Sequence, residues 1–72
     1  MNKEQFLEAF KDVLQRDENL TLDMALEDID EWDSLSKMAT IAFVDKEFGY
    51  KLTFADYDEM VTVSDIVNKI GL

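Results

Sequence analysis

The chain has 72 residues with no cysteine and no histidine, and its 17 acidic and 7 basic residues give a formal net charge of −10. A single domain of this size, which we expect to span residues 1–72, buries only about 60% of its unfolded surface and has no room for a deep catalytic cleft. Without histidine it lacks the commonest general base, and without cysteine it lacks disulfides and thiolate metal ligands. We therefore expect neither an enzyme nor a metal protein.

The acidic residues are concentrated in the segment 17–33, which contains no lysine or arginine. This charge repels nucleic acid and anionic lipid and attracts basic protein surfaces, although a strong negative charge can also serve solubility alone. The N-terminal segment lacks the apolar run of a signal peptide, and no segment approaches transmembrane length. We expect a cytoplasmic monomer whose partners are proteins with basic patches, without nucleic-acid binding or membrane insertion.

Helical periodicity predicts a first helix from about Lys3 to Arg16, with Asn2 as its N-cap and Gln5 completing a capping box. From Asp17 to Asp33 this period fails, but apolar residues recur throughout the segment. We expect these residues to pin a long ordered loop to the core. The predicted anchors are Leu20, Leu22, Met24, Leu26 and Ile29.

A second helix is predicted from Asp33 or Ser34 to Phe48, and Gly49 follows as its C-terminal stop. Apolar residues cover more than half of the circumference of this helix. This pattern indicates either the most buried helix of the fold or a helix whose apolar face meets something other than the core.

Two capping boxes predict the remaining helices. Thr53 with Asp56 opens a short helix that ends near Met60, and Thr62 with Asp65 opens a last helix. The apolar face of the last helix consists of Val63, Ile66, Val67 and Ile70. The short apolar segments between helices are too isolated to build a sheet. We predict an all-α fold, a small antiparallel four-helix bundle with three longer helices, one short helix and a long ordered loop between helices 1 and 2.

The acidic segment does not match a calcium-binding loop. If Asp28 is the first ligand, the sixth position is Asp33 instead of glycine and the twelfth is Ala39 instead of glutamate. Paired-carboxylate catalysis is not indicated either, because no pocket would separate the pKa values of these acids. The methionines Met24, Met38 and Met60 are most simply interpreted as core residues.

Ser34 allows two interpretations. Aspartate and serine are preferred N-caps, so Asp33 and Ser34 are typical of a helix start. The serine also opens the most apolar helix and follows Trp32, a bulky side chain that either packs beneath the loop or meets a partner. A phosphoester at a helix start is electrostatically favoured, so Ser34 is also a candidate attachment point for a group that another protein adds.

The motif Asp33-Ser34-Leu35, the segment Glu47-Phe48-Gly49 and the segment DEMVTVSDIV at 58–67 resemble the acyl carrier proteins and the wider carrier-protein superfamily. The resemblance spans nearly the whole chain. It implies that a phosphopantetheinyl transferase attaches 4′-phosphopantetheine from coenzyme A to Ser34, and that the thiol of this arm carries acyl groups as thioesters. It implies no catalysis by the chain itself.

The resemblance also implies partners that load and use the arm, namely a ligase and acyltransferase or synthase enzymes with basic docking patches. The suggested partner-binding residues are Asp33, Leu35, Met38, Asp45 and Glu47.

Members that serve fatty-acid synthesis usually read G-x-D-S-L-D-x-V-E-L at this motif. In this chain Glu31, Ser36, Ala39 and Thr40 replace the Gly, Asp, Glu and final Leu of that pattern, and Lys37 adds a positive charge. We interpret these departures as an altered docking surface, which favours a carrier dedicated to a specialised acyl transfer in glycan, lipid or secondary-metabolite assembly. Two alternatives are an aminoacyl or peptidyl carrier loaded by an adenylating ligase, and an acidic protein-interaction module without a prosthetic group.

Overall fold

Four helices and no strands are present in a computed structural model that describes residues 1–72. The helices are α1 (Lys3–Leu14), α2 (Ser34–Phe48), α3 (Phe54–Tyr57) and α4 (Val63–Lys69), and one turn of 3-10 helix lies at Leu26–Asp28. The prediction of a small all-α bundle with three longer helices and one short helix is confirmed. None of the helices combines the length and the apolar character that crossing a membrane requires.

Side-chain caps set the start of α1, α2 and α3. The capping residues Asn2, Asp33 and Thr53 each accept a hydrogen bond from the N–H of the third helical residue. The side chain of that third residue accepts a bond from the N–H of the cap in return. These reciprocal bonds satisfy N–H groups that have no partner within the helix. Asp33 is therefore the cap of α2, and Ser34 is its first helical residue.

Two helix ends differ from prediction. α1 ends at Leu14, before the predicted Arg16, because Gln15 adopts a left-handed backbone with φ of 55°. α3 ends at Tyr57, before the predicted Met60, because the following residues form a tight turn in which the N–H of Met60 bonds to the carbonyl of Tyr57 at 3.0 Å. The segment between α1 and α2 therefore begins at residue 15, two residues earlier than predicted.

The centre of the bundle is an apolar cluster built on Phe6 and Phe10 of α1, whose stacked rings have centroids 5.5 Å apart. Three of the five predicted loop anchors are buried in this cluster, and the other two, Leu22 and Met24, pack against it. The remaining buried members are Leu14, Leu20, Leu26, Ile29, Val63, Ile66 and Val67. The prediction of an ordered loop that is pinned to the core is confirmed.

Backbone hydrogen bonds also tie the loop to the start of α4. The N–H of Leu26 bonds to the carbonyl of Val61 at 2.9 Å, and the N–H of Val63 bonds to the carbonyl of Met24 at 3.0 Å. Ala25 and Thr62 form an isolated antiparallel bridge between these bonds. One further bond, from the N–H of Ser64 to the carbonyl of Leu22 at 2.8 Å, continues this pairing. No strand forms, in agreement with the expectation that these short segments do not build a sheet.

α2 buries polar residues and exposes apolar ones. Ser36 and Thr40 are buried, whereas the side chains of Leu35 and Met38 are 78% and 57% exposed. The burial is tolerated because the hydroxyl of Thr40 donates to the carbonyl of Ser36 at 2.8 Å, one turn back in the same helix. The core interpretation of Met38 is therefore wrong. Of the two possibilities for this helix, the second is correct, since part of its apolar face lies outside the core.

The core assignment predicts a large loss of stability for Phe10→Ala. Removing a fully buried phenylalanine costs about 3–5 kcal/mol, which is a large part of the roughly 4–11 kcal/mol expected for a chain of this size. Urea unfolding followed by circular dichroism measures this loss. Phe54→Ala is the matched control, because the Phe54 side chain is 47% exposed and its removal should cost about 1 kcal/mol or less. Equal losses in the two variants would contradict the assignment.

Candidate functional site

Ser34 stands at the first position of α2 with an exposed side chain. The side-chain hydrogen bonds of this turn join Asp33 to Ser36 and leave the hydroxyl of Ser34 without a protein partner. The first backbone N–H groups of a helix have no intrahelical acceptor, and the positive end of the helix dipole lies there. The hydroxyl is thus open to another protein and lies where a negatively charged group is stabilised.

Asp33 holds the backbone on either side of Ser34 in place. Its carboxylate accepts the N–H of Ser36 at 2.9 Å, and its own N–H donates to the hydroxyl oxygen of Ser36 at 2.8 Å. The bond from the Ser36 N–H to this carboxylate is the largest cause of the pKa of Asp33 lying below its ordinary value. The cap is therefore ionised at neutral pH and fixes the direction in which α2 begins.

Trp32 packs beneath the loop, which is one of the two positions that the sequence left open. Its ring meets the ring of Phe10 edge-on at 5.8 Å and the ring of Tyr57 edge-on at 5.1 Å between centroids. The hydroxyl of Tyr57 donates to the carbonyl of Lys37 at 2.7 Å, and burial raises the pKa of this phenol. These contacts join α1, α3 and the first turns of α2 next to the candidate site.

An ion pair that the sequence analysis missed closes the acidic loop. The Nη1 atom of Arg16 donates to the Oε1 atom of Glu31 at 2.8 Å, and this bond is the largest cause of the lowered pKa of Glu31. Arg16 is the only arginine of the chain, and it lies directly before an acidic segment. That isolated positive charge was the available signal, but no periodicity in the sequence identifies Glu31 as its partner.

An open groove of about 410 Å³ runs between the end of α1 and the start of α2. Both neighbours of Ser34 in the chain, Asp33 and Leu35, line it. The other lining residues are Val13, Leu14, Gln15, Glu31, Ser36 and Ala39. A flexible group attached to Ser34 would find a half-apolar surface within reach.

Four of the five predicted partner-binding residues fall into two groups on α2, and the fifth, Asp33, is the N-cap of this helix. Leu35 and Met38 are exposed near Ser34 and share a helix face with the exposed Ala39 and Ala42. We call these four residues the apolar stripe.

The other two predicted partner-binding residues lie near the end of α2, where Asp45 pairs with the ammonium of Lys51 at 2.9 Å and Glu47 is exposed. The structure therefore does not bring the two acids together with the residues around Ser34.

The departures from the fatty-acid-type pattern do not all alter the surface. Ser36 and Thr40 are buried, so our interpretation of these two replacements as changes to a docking surface is wrong. Glu31 is engaged by Arg16, and Lys37 lies over aromatic rings. Among the replacements within α2, only Ala39 changes an exposed position of the helix.

Comparison with known families identifies the class of protein. A family model described as the phosphopantetheine attachment site matches residues 4–70, and the chain belongs to this family. Proteins of the family are carriers with covalently attached 4′-phosphopantetheine, which interact with synthase- and transferase-type enzymes and are generally not catalytic themselves. Comparison with curated protein sequences and with solved structures gave no significant match.

The residues at the start of α2 fit this prosthetic group. A phosphodiester requires an accessible hydroxyl, and the hydroxyl of Ser34 is exposed and free of protein hydrogen bonds. The added negative charge would lie at the positive end of the α2 dipole. The groove beside Leu35 and Ala39 offers a surface on which a long flexible arm can rest.

The role of Asp33 predicts a specific response to acid. Its folded-state pKa is lowered, so its capping contribution is present above the unfolded pKa of about 3.9 and is lost as pH falls through the lower folded value. Asp33→Asn retains an acceptor for the Ser36 N–H but does not titrate. We expect the melting temperature of this variant to fall less than that of the wild type between about pH 6 and about pH 2.5.

Asp17→Asn is the matched control, because it removes one carboxylate from the exposed loop without touching a cap. Thermal unfolding followed by circular dichroism measures both variants. If Asp33→Asn and the wild type lose the same number of degrees on acidification, the ionised cap does not contribute as described.

Proposed function

We propose that this chain is an acyl carrier protein of one carrier domain, in which Ser34 is the attachment site of the 4′-phosphopantetheine arm. When bound, the arm supplies a thiol that holds acyl groups as thioesters, in a chain that has no cysteine of its own. The observation that carries the proposal is the exposed, unbonded hydroxyl of Ser34 at the first position of α2, within the range that the family model matches.

The attachment step needs a catalyst from outside the chain. Oxygen Oγ of Ser34 bonds to the phosphorus of the phosphopantetheine half of coenzyme A, and the pyrophosphate bond of coenzyme A breaks. The adenosine bisphosphate half leaves, and the serine proton passes to a base. The chain has no histidine to act as this base, so we infer that a phosphopantetheinyl transferase supplies it. The carrier contributes an oriented hydroxyl and a helix start that stabilises the product.

We infer an acyl cargo because of the surface around Ser34. The groove that its neighbours line contains the apolar side chains of Val13, Leu14, Leu35 and Ala39. An acyl chain that rests on these side chains removes apolar surface from water, and this burial is favourable. The cationic amine of an aminoacyl group gains nothing from the same side chains.

We further propose that the apolar stripe and Asp33 form the surface on which partner enzymes dock. The net charge of −10 attracts enzymes with basic patches from a distance. At close range the stripe offers Leu35 and Met38, which are exposed apolar side chains of the kind that partner proteins cover. Ala39 stands where fatty-acid-type carriers have an acid, which supports a dedicated pathway with its own loading ligase and acyltransferase or synthase. We place this pathway in the cytoplasm as part of the same proposal.

Modification of Ser34 can be tested by intact-mass measurement. The chain is incubated with coenzyme A, magnesium and a transferase of broad specificity, beside a Ser34→Ala control. We expect the wild type to gain the mass of one phosphopantetheinyl group and the variant to gain nothing. An unchanged wild-type mass would contradict the carrier function, and modification of the variant would contradict the site.

The same measurement separates the two kinds of cargo. Chain isolated from its own cells under conditions that preserve thioesters should carry the additional mass of an acyl group. The mass of an aminoacyl group would instead support the alternative of an aminoacyl carrier.

The docking surface predicts that Leu35→Ser slows modification without unfolding the chain. Loss of one well-packed apolar contact at the centre of an interface reduces kcat/KM of the transferase by roughly tenfold. The melting temperature should be unchanged, because the Leu35 side chain is 78% exposed. Phe54→Ser on α3 is the control, since it removes another exposed apolar side chain away from the stripe. Similar rates for both variants would contradict docking through Leu35.

A further inference from the structure

We propose that Lys37 is the counter-ion of the phosphodiester on Ser34, and that its ammonium lies over the rings of Trp32 and Tyr57 only while the serine is unmodified. The proposal rests on the function inferred above. It assigns to Lys37 two positions, and the modification state of Ser34 decides between them.

In the unmodified chain Lys37 is a cation without an acidic partner. Its Nζ atom lies 5.8 Å from the centroid of the Trp32 ring and 5.9 Å from that of Tyr57. The ion pairs of the molecule involve Arg16, Lys51 and Lys69 and do not include Lys37. In a chain with a net charge of −10, a half-buried lysine that forms no ion pair with a carboxylate is available for a stronger partner.

The position of Lys37 on α2 brings that partner within reach. Ser34 and Lys37 are three residues apart in one helix, so their Cβ atoms lie about 5–6 Å apart on the same side. Side chains of an α-helix lean toward its N-terminus, and this tilt directs the flexible stem of Lys37 toward the turn that begins with Ser34.

The charges around Ser34 favour this pairing. Asp33 and Glu31 are the nearest acids along the chain, and Arg16 is already engaged by Glu31. A phosphodiester adds a further negative charge at this point, and the other lysine of α2, Lys46, lies in its last turn. A charge-assisted hydrogen bond to a phosphate oxygen is stronger than the attraction of a partly exposed ammonium to ring faces.

Movement of Lys37 would also change the surface beside α3. A groove of about 260 Å³ lies there, and Trp32, Lys37 and Tyr57 are among its lining residues. The others are Leu26, Glu27, Asp58, Met60 and Val61. When the ammonium turns to the phosphate, the two ring faces become accessible in this groove, so an enzyme that binds there distinguishes the modified carrier from the unmodified one.

Nuclear magnetic resonance of the wild-type chain tests the proposal directly. Protons over aromatic rings are shielded, so the ε-methylene signals of Lys37 in the unmodified chain should lie upfield of those of Lys46. After modification with coenzyme A and a transferase, verified by intact mass, the Lys37 signals should move downfield toward those of Lys46. Unmoved Lys37 signals in a chain whose mass has increased would overturn the proposal and leave the carrier function intact. An unchanged mass would overturn both.

The phosphorus signal provides a second measurement, because the modified carrier contains a single phosphorus atom. We expect its chemical shift to differ between modified Lys37→Met and modified wild type. Lys46→Met removes an equal charge from the same helix and should leave the signal in place. Equal phosphorus shifts in the wild type and both variants would overturn the pairing, whereas loss of the wild-type shift at high salt would support it.

Discussion

The packing of Trp32 is the interaction on which the position of the site depends. Its ring meets Phe10 of α1 and Tyr57 of α3 edge-on, and the next residue along the chain is the Asp33 cap. Because interiors are close-packed, a large aromatic side chain held between two helices fixes their spacing and the direction in which the chain leaves it. The core therefore determines where α2 begins and how the hydroxyl of Ser34 is presented.

Features that are encoded within a few neighbouring residues could be predicted from the sequence. The capping boxes at Asn2 and Thr53 depend on contacts within one turn, so a local sequence pattern predicts them. The candidate site at Ser34 stays a prediction from the local motif Asp33-Ser34-Leu35. The orientation of α2 depends on tertiary packing. Hydropathy predicts the wrong buried face for this helix, because the hydroxyl of Thr40 is hydrogen-bonded within the helix and can be buried. The pair of Arg16 with Glu31 likewise depends on how the loop folds back, which no local pattern records.

Long-range attraction and close contact come from different parts of this molecule. Its acidic residues give a negative field that accelerates encounters with basic enzymes and is weakened by salt. Leu35 and Met38 of the apolar stripe are uncharged and exposed. A contact that covers them is stabilised by the removal of apolar surface from water. In the docking that we propose, the field therefore attracts basic enzymes in general, and the fit to the stripe selects among them.

The backbone bonds between the long loop and the start of α4 have a consequence for the order in which the chain folds. Met24 pairs with Val63 and Leu22 with Ser64, so these bonds close a long stretch of chain that includes all of α2. Contacts between residues that are distant in sequence form after local helices, because closing a long loop costs more entropy. A helix of 15 residues is marginally stable alone in water, so we expect α2 to become fully stable only when these bonds form. An enzyme that recognises the folded start of α2 would therefore require a chain that is folded as far as α4.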